Sequence, residues 1–212
     1  MCHRISPLLI EELREALGEL RESGHPRVPR RSPGLVVPDA YPGRQLPLFV
    51  TNEHGELEAV ELVWGFNTVV GGKEKLVFNT RIETALSQAR AGRGLWAEPL
   101  LHGRCLVPVR AFYESWTVGP PRRGAQVRFT SPAHQVFLLA GVWKDERVSV
   151  VTTSPNASVA PMHTRMPLVL GPGESSVWLG PNYAELADRS GIVLEAVPEL
   201  PPEPQASLEL SL

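Results

Sequence analysis

The sequence predicts an α+β fold: a mostly antiparallel β-sheet with helices at its periphery. Two observations carry this. Short apolar, β-rich runs recur at Leu46–Thr51, Leu57–Trp64, Arg104–Tyr113, Val127–Phe129, Val136–Trp143 and Val148–Thr153. Helical patterns are brief and lie between or outside these runs, and there are no internal repeats.

The first helix is expected over Ser6–Arg21. Ser6 is a candidate N-cap, Pro7 suits the first turn, Leu9, Leu13, Leu17 and Leu20 share a face, and Gly24 follows. Residues 25–45 hold Pro26, Pro29, Pro33, Pro38 and Pro42 among arginines and read as an extended surface segment. Leu46–Thr51 and Leu57–Trp64 flank a turn at Asn52–Gly55 and read as a hairpin. Phe78–Gln88 begins as a strand end and turns into a short helix, and Val169-Leu170 closes the sheet region. Pro172–Trp178 and Asn182–Asp188 read as short helices. A single domain is expected over residues 1–197, followed by a loose Pro- and Glu-containing tail, 198–212.

Hydrophobic residues make up 42% and charged residues 21% of the 212, the balance of an ordinary globular chain. No run of about 18 apolar residues is present, so no membrane span is expected. Without a basic stretch and apolar core at the N-terminus, a cytoplasmic location is expected. The net charge of −2 provides no global attraction to nucleic acid, so any DNA contact needs a local cluster of arginines. Lysine is confined to Lys73, Lys75 and Lys144; arginine, the other basic residue, is the better bidentate phosphate clamp. Cys2 and Cys105 lack metal-site spacing, and no metal or cofactor is expected.

Polar residues stand out in four segments. Cys2-His3-Arg4 follows the initiator Met1. With Met1 removed, Cys2 presents an α-amine and a thiol together, with reference pKa values of about 7.7–8.0 and about 8.5. The amine can condense with an aldehyde to a Schiff base, and the thiolate can close on that carbon as a thiazolidine. The other segments are Phe78–Ala85 with Asn79 and Arg81, Ala111–Trp116 with Glu114, and Pro161–Pro167 with His163 and Arg165. Singly, Asn79 reads as a turn residue, Glu114 as a solvated strand end, His163 as a hydrogen-bonded loop residue and Arg81 as a partner of Glu83. Together they supply a nucleophile, an orienting amide, two acid–base groups and an anion-binding set.

These blocks resemble the SOS response-associated peptidase (SRAP) family. Met-Cys-x-Arg, Phe-Asn-Thr-Arg-Ile-Glu-Thr-Ala, Phe-Tyr-Glu followed by Trp116, and Met-His-Thr-Arg-Met-Pro occur in the family's order, with Trp64-Gly65 and Val151-Thr152-Thr153 between them. The resemblance implies a barrel-like SRAP fold. It also implies covalent capture of abasic sites in single-stranded DNA through Cys2, after self-removal of Met1 or removal by an aminopeptidase. Asn79 would then hold Cys2 or the sugar, Glu114 would act as general acid–base, and His163 would move the ring-opening proton. Arg4, Arg81 and Arg165 would clamp flanking phosphates, with Thr152 as a further hydrogen-bonding group. A monomer is implied, associated with the nucleoid when bound to DNA.

The chain departs from the family pattern in several places. Phe66-Asn67-Thr68 stands where the family carries a second Trp, Ser115 separates Glu114 from Trp116, Asp39 replaces an Asn, and Ala196–Leu212 is degenerate. Aromatic stacking contributes about 1–3 kcal/mol per base, so weaker DNA affinity is expected. Two other readings share these residues: a cysteine hydrolase acting in trans through Cys2, Glu114 and His163, and a non-catalytic single-strand-binding module.

Overall fold

The computed structural model describes residues 2–23, 37–119 and 125–199. In chain order the strands begin with β1 (Arg4–Pro7), β2 (Gln45–Thr51), β3 (Leu57–Trp64), β4 (Phe66–Val70), β5 (Lys73–Val77) and β6 (Asn79–Arg81). They continue with β7 (Arg104–Ser115), β8 (Gln126–Thr130), β9 (Phe137–Lys144), β10 (Arg147–Thr153), β11 (Met166–Pro167), β12 (Val169–Leu170) and β13 (Glu195–Glu199). The helices are α1 (Ile10–Ser23), α2 (Ile82–Ala91), α3 (Ala97–His102) and α4 (Glu174–Leu179), with a 3-10 turn at Tyr183–Ala187. No helix among the described residues is long and apolar enough to cross a membrane.

The fold is α+β with a barrel-like core. Strands run in the order β9-β10-β3-β2-β7, and β7 pairs back onto β9 to close the ring. Most pairings are antiparallel; β10 runs parallel to β3 and to β6. Closure needs a strand long enough to serve two partners, and β7 is 12 residues long. Its first half pairs with β9, from Arg104↔Val142 to Val109↔Phe137. Its second half lies between β1 and β8.

Alternation along the strands produces two cores, because successive side chains leave opposite faces. Cys105, Val107, Leu139, Val148 and Val150 join Leu48 and Trp64 inside the barrel. Their neighbours Leu106, Ala140, Val142 and Val151 face outward and pack with Ile82, Ala85, Leu100 and Trp178 of α2, α3 and α4.

The seam between β7 and β9 is tight. Gly141 pairs with Cys105, and a Cβ on Gly141 would sit 2.7 Å from Cys105 Sγ and 3.2 Å from Val107 Cγ2. Overpacking of this kind costs about 1–3 kcal/mol. Gly141→Ala should therefore lower the melting temperature by roughly 2–12 °C, read by a circular dichroism melt, given about 2–4 °C per kcal/mol for domains of 150–250 residues. An unchanged melt would mean that the seam has slack.

Four features differ from the sequence expectation. Ser6 is no N-cap: Ser6 and Pro7 belong to β1, where Ser6 pairs with Ala111. The helix begins at Ile10, because Glu12 Oε2 accepts the Leu9 backbone N–H at 2.8 Å, the reciprocal half of a capping box. Residues 66–77 form an unforeseen hairpin around Gly71-Gly72, whose φ values of +59° and +75° meet the demand of a two-residue turn. Helix α3, a six-residue turn over Ala97–His102, has no counterpart in the sequence expectation. At the C-terminal end, Pro198 and Glu199, expected in a loose tail, continue β13 along β8. The Asn52 turn holds as expected, its Oδ1 accepting the N–H groups of His54 and Glu56 at 3.0 Å each. Gly24, most of the proline-rich segment (residues 24–36) and the tail from 200 lie outside the described residues.

Candidate active site

Strand β1 carries Cys2 to the flank of the second half of β7. Pairing Arg4↔Tyr113 places the chain start next to Glu114. Cys2 is fully buried. Its carbonyl oxygen accepts Asn79 Nδ2–H at 2.8 Å, and its thiol faces the Arg4 carbonyl with Sγ 3.6 Å away. Burial, reinforced by the negative charge of Glu114, pushes the thiol pKa well up.

Asn79 reaches Cys2 because it opens β6, which the parallel ladder Asn79↔Val150 fixes on β10. It is 7% exposed, and its Oδ1 has no hydrogen-bond partner among the described residues. The amide thus grips Cys2 with its donor and presents an unused acceptor.

Glu114 is 0% exposed near the C-terminal end of the apolar strand β7. Burial raises its carboxyl from the ordinary 4.5 to about 7. The Arg4↔Tyr113 pairing brings Cys2 alongside this end of β7, close enough for the Glu114 charge to act on the Cys2 thiol. His163 is 6% exposed, with Nε2 3.6 Å from Glu114 Oε2. Its Nδ1 lies 2.8 Å from the Arg165 carbonyl oxygen and 3.1 Å from the Arg165 N–H. Burial holds the imidazole pKa below its usual value. A raised acid beside a lowered base favours the neutral pair, ready to exchange one proton.

The arginines are less alike than the sequence suggests. Arg165 grips Glu83 with two hydrogen bonds, 2.6 and 3.0 Å, and donates to the Thr152 carbonyl at 2.9 Å and its Oγ1 at 3.4 Å. Partial burial works against ionisation of Glu83, yet Arg165 holds its carboxyl below the usual range. Thr152 is fully buried, and its hydroxyl donates to the Thr80 carbonyl at 3.4 Å, so it props β6 against β10. Arg4 is bonded to Asp39 and Glu199. Arg81 stands exposed at the β6–α2 junction, in no ion pair among the described residues. Cys2, Asn79, Glu114 and His163 thus come together, and of the three arginines Arg81 alone makes no salt bridge among the described residues, though its charge also helps hold the Glu83 carboxyl down.

The SOS response associated peptidase (SRAP) family profile matches residues 1–202. The chain belongs to the SRAP family. Among its relatives, abasic site processing protein YoqW of Bacillus subtilis (strain 168) and that of Bacillus phage SPbeta are each 27% identical over 150 residues. That alignment covers 65% of this chain and spans 64% of the length of each relative. Abasic site processing protein YoaM of Bacillus subtilis is 26% identical over 146 residues, 63% of this chain and 62% of YoaM. A phage-related protein from Bordetella bronchiseptica shares the fold at TM-score 0.62 and 20% identity, covering 93% of this chain and 94% of that one. A protein from Bacteroides thetaiotaomicron does so at TM-score 0.62 and 19% identity, covering 93% and 91%.

In this SRAP chain the aromatic residues near the motifs are structural. Trp64 is fully buried and donates to the Phe78 carbonyl at 2.8 Å. Phe66 is 6% exposed and packs edge-on against Trp96, with centroids 5.1 Å apart. Trp116 is half-buried, its Nε1–H donating to the Val118 carbonyl at 2.6 Å. The pairings of Arg4 with Asp39, Tyr113 and Glu199, and of Arg165 with Glu83, are not in the sequence expectation. Asp39, Tyr113 and Glu83 lie in segments that match the family pattern; Glu199 has no such signal.

Proposed function

We propose that this protein captures abasic sites in single-stranded DNA as a covalent thiazolidine crosslink on Cys2, once Met1 has been removed. One observation carries the reading: Asn79 holds the Cys2 carbonyl at 2.8 Å beside the buried Glu114–His163 pair, 3.6 Å apart. That arrangement presents the future α-amine to an acid–base group, as imine formation requires. The relatives named as abasic site processing proteins make the ring-opened aldehyde of such a site the fitting electrophile.

The steps balance. Glu114, in its carboxylate form, takes a proton from the Cys2 ammonium, and the free amine adds to the aldehyde carbon. Glu114, now protonated, returns the proton to the carbinolamine hydroxyl, which leaves as water. The thiol then adds to the imine carbon and closes the five-membered ring, its proton passing to the ring nitrogen. His163, 3.6 Å from Glu114, carries the proton that opens the deoxyribose ring. The raised thiol pKa supports this order, since sulfur stays protonated until the imine is formed beside it. Arg81 holds a flanking phosphate, and Arg165 and Arg4 do so on exchanging their carboxylate partners. The protein acts as a monomer. Before capture, the Cys2 thiol takes the Met1 acyl group from its own nitrogen, its proton passing to that nitrogen, and water hydrolyses the resulting thioester to free methionine and the thiol.

A cysteine hydrolase acting in trans would use the same Cys2, Glu114 and His163 but would turn over substrate instead of accumulating a stoichiometric adduct.

Single-stranded DNA carrying one abasic site, incubated with protein shown by mass to begin at Cys2, should give a heat-stable, slower-migrating species on a denaturing gel. Absence of that species would overturn the reading. Asn79→Ala should slow its formation roughly five- to thirtyfold, the effect of losing about 1–2 kcal/mol of hydrogen bonding. A normal rate in that variant would remove Asn79 from the mechanism.

A further inference from the structure

Arg4 sits in a built cluster. Its Nε donates to Asp39 Oδ2 at 2.7 Å and its Nη1 to Glu199 Oε2 at 2.6 Å. The guanidinium lies over the Tyr113 ring, 3.9 Å from the centroid. One cation facing two carboxylates leaves a negative balance, so the cluster as it stands does not draw a phosphate.

The two carboxylates differ in how firmly they are placed. Asp39 is 17% exposed and precedes Ala40, whose backbone exchanges two hydrogen bonds with Ile5 of β1, at 3.1 and 2.8 Å. Glu199 is 38% exposed and ends β13, the outermost strand of the sheet order, hydrogen-bonded to β8. A partly exposed ion pair is weak and screened by salt, so the Glu199 partner is exchangeable. Arg4 stands two residues from Cys2, within about 7 Å along an extended chain, close enough to meet a phosphate next to a sugar held at Cys2.

We propose that Glu199 is a phosphate surrogate: its carboxylate occupies the Arg4 guanidinium until a DNA backbone phosphate displaces it, so the end of β13 sets the affinity for single strands. Glu199 holds Arg4 through one Nη1–H···Oε2 bond, which a phosphate oxygen can replace one for one, so the exchange leaves Arg4 on Asp39 and over Tyr113. The displaced Glu199 then loosens the end of β13, where Pro198 already lacks an N–H for the ladder. The inference rests on the reading that DNA binds beside Cys2.

The test uses the full chain and an intact, fluorescein-labelled single-stranded oligonucleotide, followed by anisotropy across a salt series. Glu199→Gln should bind about three- to tenfold more tightly at low salt, with log K falling more steeply against log salt by up to about 0.7, one phosphate contact. Glu195→Gln, the same charge change at the far end of β13, serves as the control. Adding the oligonucleotide to the unaltered protein should also raise hydrogen exchange across residues 195–199. Equal tightening in both variants, or undisturbed exchange in β13 while DNA is bound, overturns the surrogate role. If abasic DNA still crosslinks normally in those cases, the surrogate alone has failed. If neither binding nor crosslinking occurs, the proposed function fails and the surrogate falls with it.

Discussion

Cys2→Ala, prepared with Met1 removed, is expected to reduce the heat-stable adduct with abasic single-stranded DNA to background, yet to leave an imine that a borohydride reductant traps. The two outcomes separate the two atoms Cys2 contributes. The α-amine survives the substitution, so the carbinolamine and imine still form against Glu114. The sulfur does not survive, so the ring cannot close and the imine hydrolyses. Folding is not at issue in the comparison, because the reductively trapped species itself reports a competent site. A heat-stable adduct of undiminished yield without reductant would show that the linkage does not involve the thiol. No trapped imine in a folded variant would show that the amine is not the attacking group.

Glu114→Gln is expected to slow adduct formation by about 10²-fold or more, the usual contribution of a placed acid–base group, and to change the shape of the pH profile. In the unaltered protein the amine must be free, which favours pH above about 7.7–8.0. The carboxyl must be protonated to expel water, which favours pH below about 7. The rate should therefore peak between roughly 7 and 8 and fall on both sides. The variant should keep only the amine limb and rise with pH toward a plateau. The same substitution should stabilise the fold above neutrality. A buried carboxyl raised to about 7 keeps its proton where the unfolded chain, near 4.5, has lost it. Stability from this group is therefore lost as pH rises from about 4.5 to about 7, and an amide does not lose it. A slower variant that melts higher at pH 8 would separate a chemical role from a structural one. An unchanged rate would exclude Glu114 from proton transfer.

Most strands were legible because a half-buried strand writes its period into the chain, and the hairpin through Asn52 followed from local turn chemistry. The Gly71-Gly72 hairpin was equally legible in principle, since two consecutive glycines between Val70 and Lys73 are a turn signal, but its strands show little apolar alternation. Ser6 misled because a residue suited to an N-cap also fits an edge of β7, and pairing with Ala111 decided the matter.

The identity and order of the candidate groups are set by the linear chain: a cysteine at position 2, an amide at 79, a carboxylate at 114 and an imidazole at 163. Their energies are not. Glu114 reads locally as a solvated strand end; its raised pKa exists because β7 is covered by β1 on one side and β8 on the other. Arg4 and Arg165 likewise read as phosphate clamps with no carboxylate partner in the sequence. Arg4 meets Asp39 and Glu199, residues 35 and 195 positions away, and Arg165 meets Glu83, 82 positions away. Charge pairing acts through space and leaves no periodic trace in the chain, whereas strand alternation is a local geometric constraint that does.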